Sequence, residues 1–415
     1  MLMLRLSLML VVFVDVMGQG LILPIINTLL IDPSSGFLPA GTTGGARELL
    51  YGLLLGAFYI FWFFGAAYIS KVSDYVGRKK GMSVCLVGAL AGYVLTVISI
   101  EASNYYLLLL ARAISGFTAG NQPIAQAALV DISRTDRERT RNMGKVVAAS
   151  ALGLVAGPLI AGLLSDSAVM GGYATLELPF IFAAALVFIT LALVLGFFHD
   201  ARMERRTIDF GPSEVFVNLW RVRQRPTIMK ISAVYFFFEL GLNSFFIYLD
   251  DYMIERFHFG TLQNSILMTV FGITMAVSSG VLVGPLSARF QKIPMVAFTV
   301  GVMAVSLTIF MFNGYPQLSY LLVVPVVVGF AICYPTTLAL FSESAGADEQ
   351  GWVMGVTIAL FTLGSGIISL AGGGMMAIDA RLPFMAGIAS FVVALIFIAT
   401  LWRQADVMAL DKVER

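Results

Sequence analysis

Three ionisable side chains stand deep inside apolar stretches of this chain: Asp15, Arg112 and Glu239. A charge in such a place is costly, so it is a functional candidate by default, and the chemistry on offer is proton exchange or the binding of a charged solute. Asp15 lies ten residues past Arg5, roughly 15 Å along a helix, with Gln19 one turn further on. A buried carboxyl beside a cation can exchange a proton near neutral pH. The plainer reading is a structural acid paired with a neighbouring helix. Arg112 stays protonated and cannot itself carry the proton. It can bias a nearby acid or serve as a fixed counter-ion, and helical spacing puts Ser115, Ala119, Gln122 and Gln126 on its face. Glu239 belongs to a stripe, Ser232, Tyr235, Glu239, Asn243, Phe246 and Asp250, that steps by three or four and stays within about 40° of one face. Such a stripe faces a wet cavity rather than lipid, which makes Glu239 and Asn243 candidates for substrate or proton. Asp251 reads as a solvated helix end.

The elements that must position these residues are membrane helices. Of 415 residues 59% are hydrophobic and 12% charged, about half the charge a soluble domain carries. Lipid is therefore the main solvent. Twelve runs reach the length of a span, roughly 4–30, 49–69, 82–100, 105–130, 143–164, 178–198, 228–252, 262–286, 294–312, 318–342, 352–376 and 383–402. The first is too long for the apolar core of a signal peptide and reads as a span. All are expected as helices, because the alternation of barrel strands is absent. With the N-terminus placed in the cytoplasm, 22 of the 26 Lys and Arg fall on that side and three on the other. This bias puts both termini inside. The expected architecture is all-α, two six-helix bundles over 1–198 and 227–415 joined by a basic cytoplasmic segment, 199–226. A weak repeat relates 70–76, after the second span, to 284–290, after the eighth. Six-plus-six repeats place a binding site between the halves near the midplane.

Smaller motifs add detail. Ser70–Lys80 is a charged loop between two spans. Gly77 permits a tight turn there, and Arg78, Lys79 and Lys80 suit an anionic inner surface. Gly153, Gly157, Pro158 and Gly162 permit close helix approach and a bend. Tyr59, Trp62, Tyr235, Phe236 and Tyr334 are candidates to line an amphipathic pocket, or simply to pack. The loop 32–47 is rich in Gly, Pro and Ser and reads as a flexible external segment, with a lid as the sharper alternative. No phosphate-binding Gly-Lys loop, Ser-His-Asp set or metal-ligand cluster is present. Cys85 and Cys333 lie in apolar runs and suggest no disulfide. The sequence implies no cofactor, no metal, no nucleic-acid partner and no enzyme, so energy must come from an ion or solute gradient.

These motifs together resemble the major facilitator superfamily, and within it the drug/proton antiporters of the tetracycline-efflux type. The resemblance covers nearly the whole chain. It rests on Asp15-Val-Met-Gly-Gln-Gly-Leu-Ile-Leu-Pro24, Asp74-Tyr-Val-Gly-Arg-Lys79, Arg112-Ala-Ile-Ser-Gly116 and Gly153-Leu-Val-Ala-Gly-Pro158. In the second half it rests on Glu255-Arg-Phe-His-Phe259 and Glu349-Gln-Gly-Trp-Val-Met-Gly355. It implies a coupling role for Arg112 and a bracing role for Asp74 at the cytoplasmic helix ends. Ser70 and Tyr75 stand where the loop motif has Gly and Arg. Thr274 and Met275 stand where tetracycline exporters carry a His. The implied substrate is thus a small organic molecule or drug rather than tetracycline itself.

The resulting expectation is a monomeric, multi-pass secondary transporter of a bacterial inner membrane. It exports a small molecule in exchange for protons by alternating access. Two other readings stay open: uptake or export of a metabolite or siderophore on the same fold, and a membrane receptor that no longer transports.

Overall fold

Backbone amides in hydrocarbon have no water to bond to, so each apolar run must close its hydrogen bonds internally as a helix. The computed structural model of the chain describes residues 2–133, 136–198, 214–346 and 349–410. Its α-helices are α1 (Leu2–Ile31), α2 (Gly44–Val76), α3 (Arg78–Glu101), α4 (Tyr105–Phe117), α5 (Asn121–Asp131), α6 (Asp136–Ser165), α7 (Ser167–Met170), α8 (Leu178–Phe197) and α9 (Glu214–Arg221). They continue as α10 (Pro226–Phe257), α11 (Thr261–Val281), α12 (Val283–Arg289), α13 (Lys292–Phe312), α14 (Pro316–Glu343), α15 (Gln350–Met376), α16 (Leu382–Thr400) and α17 (Ala405–Met408). Among the described residues eleven helices are long and apolar enough to cross a membrane. Large apolar side chains such as Leu152, Phe188, Val277 and Phe298 are exposed on their outer faces, as lipid contact requires. Of the expected segment 199–226, residues 199–213 lie outside the described residues, as do the residues at 134 and 135, and 214–221 form α9.

The fourth expected span, 105–130, is not one helix. It breaks at Thr118–Gly120 into α4 and α5. Pro123 explains the break. It has no N–H for the Ala119 carbonyl, and its ring would collide with that carbonyl in a continuous helix. In the first turn of α5 the missing N–H costs nothing. Gly120 supplies the flexible joint beside it.

The chain divides into two compact units, Met1–Phe210 with Phe259–Thr269, and Gly211–His258 with Val270–Arg415. In the first, α1 packs along α6, and α3 packs on α4 and α8. The α1–α6 seam is backbone against backbone. A Cβ on Gly153 would sit 2.6 Å from the Phe13 carbonyl oxygen, and one on Gly157 would overlap the Met17 carbonyl. Pro158 fits against Gly20 of α1, and Gly162 lies against Ser265. The charged stretch 70–80 is helical rather than a loop. α2 continues to Val76, and Gly77 alone makes the corner into α3, at φ 106°, where glycine is favoured. Arg78 Nη1 donates to Ser73 Oγ at 3.2 Å, and Lys79 Nζ to the Leu195 carbonyl at 2.7 Å. Lys79 therefore caps the end of α8. The side chain of Asp74 lies outside those described. At the start of α1, Arg5 pairs with Glu138 of α6.

The segment 32–47, expected to be flexible, is tied down. Arg47 Nη1 donates to the Leu30 carbonyl at 2.9 Å, and Ser35 Oγ to the Leu29 carbonyl at 2.8 Å. Phe37 and Leu38 are buried. Two carbonyls left open at the end of α1 are thereby satisfied, which composition alone does not reveal.

The second unit is built around α10, which packs on α16, α15 and α14, with α13 against α14 and α16. Ion pairs close one end of it. Lys230 Nζ meets Asp406 Oδ2 at 2.7 Å, and Lys292 Nζ meets Glu343 Oε1 at 2.5 Å. Glu349 Oε1 holds both Arg221 and Arg225, at 2.7 and 2.6 Å.

Candidate functional site

The first unit contains a cavity into which Asp15 and Arg112 both open. Asp15, Gly18 and Gln19 line it from α1, Phe58 from α2 and Tyr93 from α3. Arg112 and Ser115 come from α4, Thr118 and Ala119 from the break, and Asn121 from the start of α5. Two of the expected site residues thus meet through a helix interruption. A continuous fourth helix would bury the amides at 121–122 in its own ladder. The break presents the N-terminus of α5 instead, and the Asp15 carboxyl faces the backbone N–H of Gln122 and the side-chain amide of Asn121. Anions are favoured at that end of a helix.

Arg112 does not pair with Asp15. Its guanidinium lies over the Phe58 ring, 4.2 Å from the centroid, an arrangement worth about 0.5–2 kcal/mol. It is 4% exposed, and its Nε has no hydrogen-bond partner. Asn121 is 1% exposed, and its Oδ1 is likewise without a partner. Such groups cost free energy unless something fills them. A donor and an acceptor left open in one cavity suit a ligand or water. Tyr93 lines the same cavity as Asp15 and Arg112 and feels the charge of both. Its hydroxyl fits only because residue 18 is glycine: a Cβ there would overlap it.

The other candidates fall as follows. Gln19 lines the cavity. Gln122 turns its Nε2 towards Ser150 Oγ of α6 at 3.4 Å, and Gln126 is not among the lining residues. Tyr59 and Trp62 stack on each other, centroids 6.2 Å apart, and Phe58 takes the place at the cavity wall. Ser115 and Ala119, expected on the Arg112 face, line the cavity, whereas Tyr93, Thr118 and Asn121 were not singled out by the sequence. The glycine at 18 and the Gly120–Pro123 pair are the signals that bear on them.

The second unit holds its own buried acid. Glu239 is 1% exposed in the middle of α10. Asn243, one turn on, donates Nδ2 to the Glu239 carbonyl at 2.8 Å and to its Oε2 at 3.2 Å. The Tyr235 hydroxyl faces the carboxyl, while Oε1 has no partner within hydrogen-bond distance. Tyr235 meets Tyr334 of α14 at 6.5 Å and Phe341 at 5.5 Å between ring centroids. The stripe expected on this helix does bring Tyr235, Glu239 and Asn243 together, with Tyr334 across from them. Asp250 and Asp251 are fully buried, contrary to a solvated helix end for Asp251.

Among the described residues no group of three or more His, Cys, Asp or Glu is placed to hold a metal. Cys85 and Cys333 are separate buried thiols.

The model of the Major Facilitator Superfamily matches residues 8–369 and 231–412. The chain is 27% identical over 365 residues to the class C tetracycline resistance protein of Escherichia coli, covering 85% of each. It is 25% identical over 378 residues to the quinolone resistance protein NorA of Staphylococcus aureus, covering 90% of this chain and 89% of that one. Among solved structures, a D-xylose–proton symporter superposes with a TM-score of 0.75 at 14% identity, over 97% of each chain. The human organic anion transporter MFSD10 superposes with a TM-score of 0.71 at 19% identity, over 95% of this chain and 99% of that one.

Proposed function

We infer that this chain, which belongs to the major facilitator superfamily, exports a small organic molecule in exchange for protons. It is a multi-pass transporter; the exchange, its direction and the coupling ion are our reading. The observation that carries it is the cavity in which Asp15 faces the N-terminus of α5 while Arg112, unpaired with that acid, keeps an open donor. Efflux is supported by the resistance proteins to which the chain is similar over most of its length. The basic residues gathered on one side support cytoplasmic termini, and the bacterial relatives support an inner membrane.

The proposed cycle uses the helix break as its sensor. An ionised Asp15 is attracted by the amide end of α5 and holds α1 against it. A proton on Asp15 removes that attraction. The amide end of α5 and Arg112 are then free to rearrange as the two six-helix halves exchange access. Tyr93, which shares the cavity with both charges, transmits the change. In this account the chain works as a monomer, with the small-molecule substrate, protons and the surrounding lipid as its partners.

A second reading keeps the fold and changes the cargo to a metabolite or siderophore, moved in either direction. Thr274 and Met275, in place of the tetracycline exporters' His, favour keeping it. Growth of a deletion strain separates the two. Sensitivity to drugs supports export, and a defect confined to iron limitation supports the second reading.

A further inference from the structure

We propose that α9 and the turn after it dock an anionic phospholipid at the membrane surface where α10 begins. Arg223 and Arg225 hold its phosphate, and Val217 and Trp220 rest against its acyl chains. The proposal goes beyond the exporter reading and does not depend on it.

Charge in this segment is one-sided. From Val215 to Phe238 the chain carries four basic residues, Arg221, Arg223, Arg225 and Lys230, and no acid. Two carboxylates come to meet them from elsewhere in the second unit. Asp406 takes Lys230, and a single oxygen of Glu349 takes both Arg221 and Arg225. Four cations against two carboxylates leave two positive charges in the cluster. Arg221 is held twice, by Glu349 and by the Trp352 ring, 4.5 Å from its guanidinium. Arg225 shares its partner, and its side chain is 52% exposed. Arg223 is exposed and lies over the Trp220 ring at 4.5 Å. The excess charge therefore sits on Arg223 and Arg225.

The apolar side chains of the same segment select the kind of anion. Arg221 and the buried Val222 fix the segment inward. Val217 and Trp220, three residues apart and so adjacent on the helix surface, are 58% and 64% exposed. The turn Val222–Gln224 and Arg225 lead directly into α10, which starts at Pro226 and is long and apolar enough to cross a membrane. Met229, near the start of α10, is exposed as well. Val217 and Trp220 thus continue the lipid-facing surface of α10 into the headgroup layer, where tryptophan is favoured. An arginine stacked on that ring keeps its charge at the water side. A free phosphate would satisfy the arginines and leave Val217 and Trp220 bare. A phospholipid of net negative charge satisfies both. Its phosphate competes with Glu349 for Arg225, so occupancy weakens one of the two bonds that tie the segment to the start of α15.

The test reads tryptophan fluorescence of purified full-length protein in micelles of a neutral detergent. Phosphatidylglycerol or phosphatidylcholine, brominated on the acyl chains, is titrated in as a contact quencher. The chain has four tryptophans, so each measurement is made with and without Trp220→Phe, and the difference is the signal of Trp220. Half-quenching should need about twentyfold less phosphatidylglycerol than phosphatidylcholine at low salt, and the preference should shrink at high salt. Arg223→Gln and Arg225→Gln, both at exposed positions, should each raise the phosphatidylglycerol required about fivefold, the effect of one basic residue at an anionic surface. The double variant should show no preference. Lys292→Gln, which removes a lysine held by Glu343 in the same unit, should keep it. Equal quenching by the two lipids in wild type overturns the proposal, as does a preference that survives the double variant. Reversal of the quenching by inorganic phosphate, beyond that of chloride at the same ionic strength, would assign the arginines to free anions and overturn it too.

Discussion

The pairing of Gly18 with Tyr93 makes a sharp prediction, because its cause is a single atom. A Cβ added at residue 18 overlaps the Tyr93 hydroxyl oxygen, yet stands 3.3 Å from the ring carbon that bears it. Gly18→Ala should therefore cost what overpacking costs, about 1–3 kcal/mol. It should also displace the phenol within the cavity it shares with Asp15 and Arg112. Removing only the oxygen, with Tyr93→Phe, leaves a contact that a shift of a few tenths of an ångström relieves. The double variant Gly18→Ala/Tyr93→Phe should then be more stable than Gly18→Ala alone, a coupling of about 0.5–3 kcal/mol. Thermal unfolding of the four purified proteins in one detergent measures it. Transport should follow a different order. Both variants that lack the hydroxyl should transport poorly however stable they are, if the Tyr93 hydroxyl transmits the change at Asp15 as proposed. Additive stability losses would refute the steric argument. Full transport by Tyr93→Phe would refute the link.

Other expectations follow from the same geometry. Arg112→Lys keeps the charge but loses the flat stacking on Phe58 and the Nε donor, so transport should fall about tenfold or more in a vesicle assay; unchanged rates would show that charge alone suffices. Gly157→Ala sets a methyl against the Met17 carbonyl, where no flexible side chain can yield, and should lower the yield of folded protein in size-exclusion profiles more than Gly144→Ala, where the space is open. The Lys230 ammonium hydrogen-bonded to Asp406 holds that carboxyl below its ordinary range. Its stabilisation is present above the unfolded carboxylate value of about 3.9 and is lost as pH falls through the lower folded value. Asp406→Asn should thus lower stability at pH 7 by no more than about 1 kcal/mol, since the acid is partly exposed. The gap to wild type should narrow as the pH falls below about 3.9.

The spans were legible because lipid imposes one rule on all of them: a long apolar run becomes a helix. The exception is instructive. The run 105–130 is apolar throughout, and a length criterion sees one helix. The backbone of Pro123 and the freedom of Gly120 decide otherwise, and the break builds much of the first cavity. The acids and Arg112 could be read because charge is rare at such depth. Helical spacing also put Ser115 on the Arg112 face, but Thr118, Asn121 and Tyr93 could not be read, because they are ordinary residues in membrane helices until tertiary packing converges on them. The same holds for segment 32–47, whose Gly and Pro content suggested mobility. One arginine and one serine bonding to the end of α1 were enough to fix it. Glu239 shows the reverse. A periodic stripe on one helix was sufficient to place Tyr235, Glu239 and Asn243 on a shared face.

The central claim is that protons drive transport through Asp15. Reconstituted vesicles with protein oriented cytoplasmic side out test it, with ethidium, norfloxacin and tetracycline as trial cargo. With the interior one pH unit more acidic than the outside, a one-proton exchanger should concentrate its cargo about tenfold. Asp15→Asn should let the same cargo only equilibrate. Accumulation by wild type that ignores the gradient, or by Asp15→Asn that matches wild type, would contradict the account.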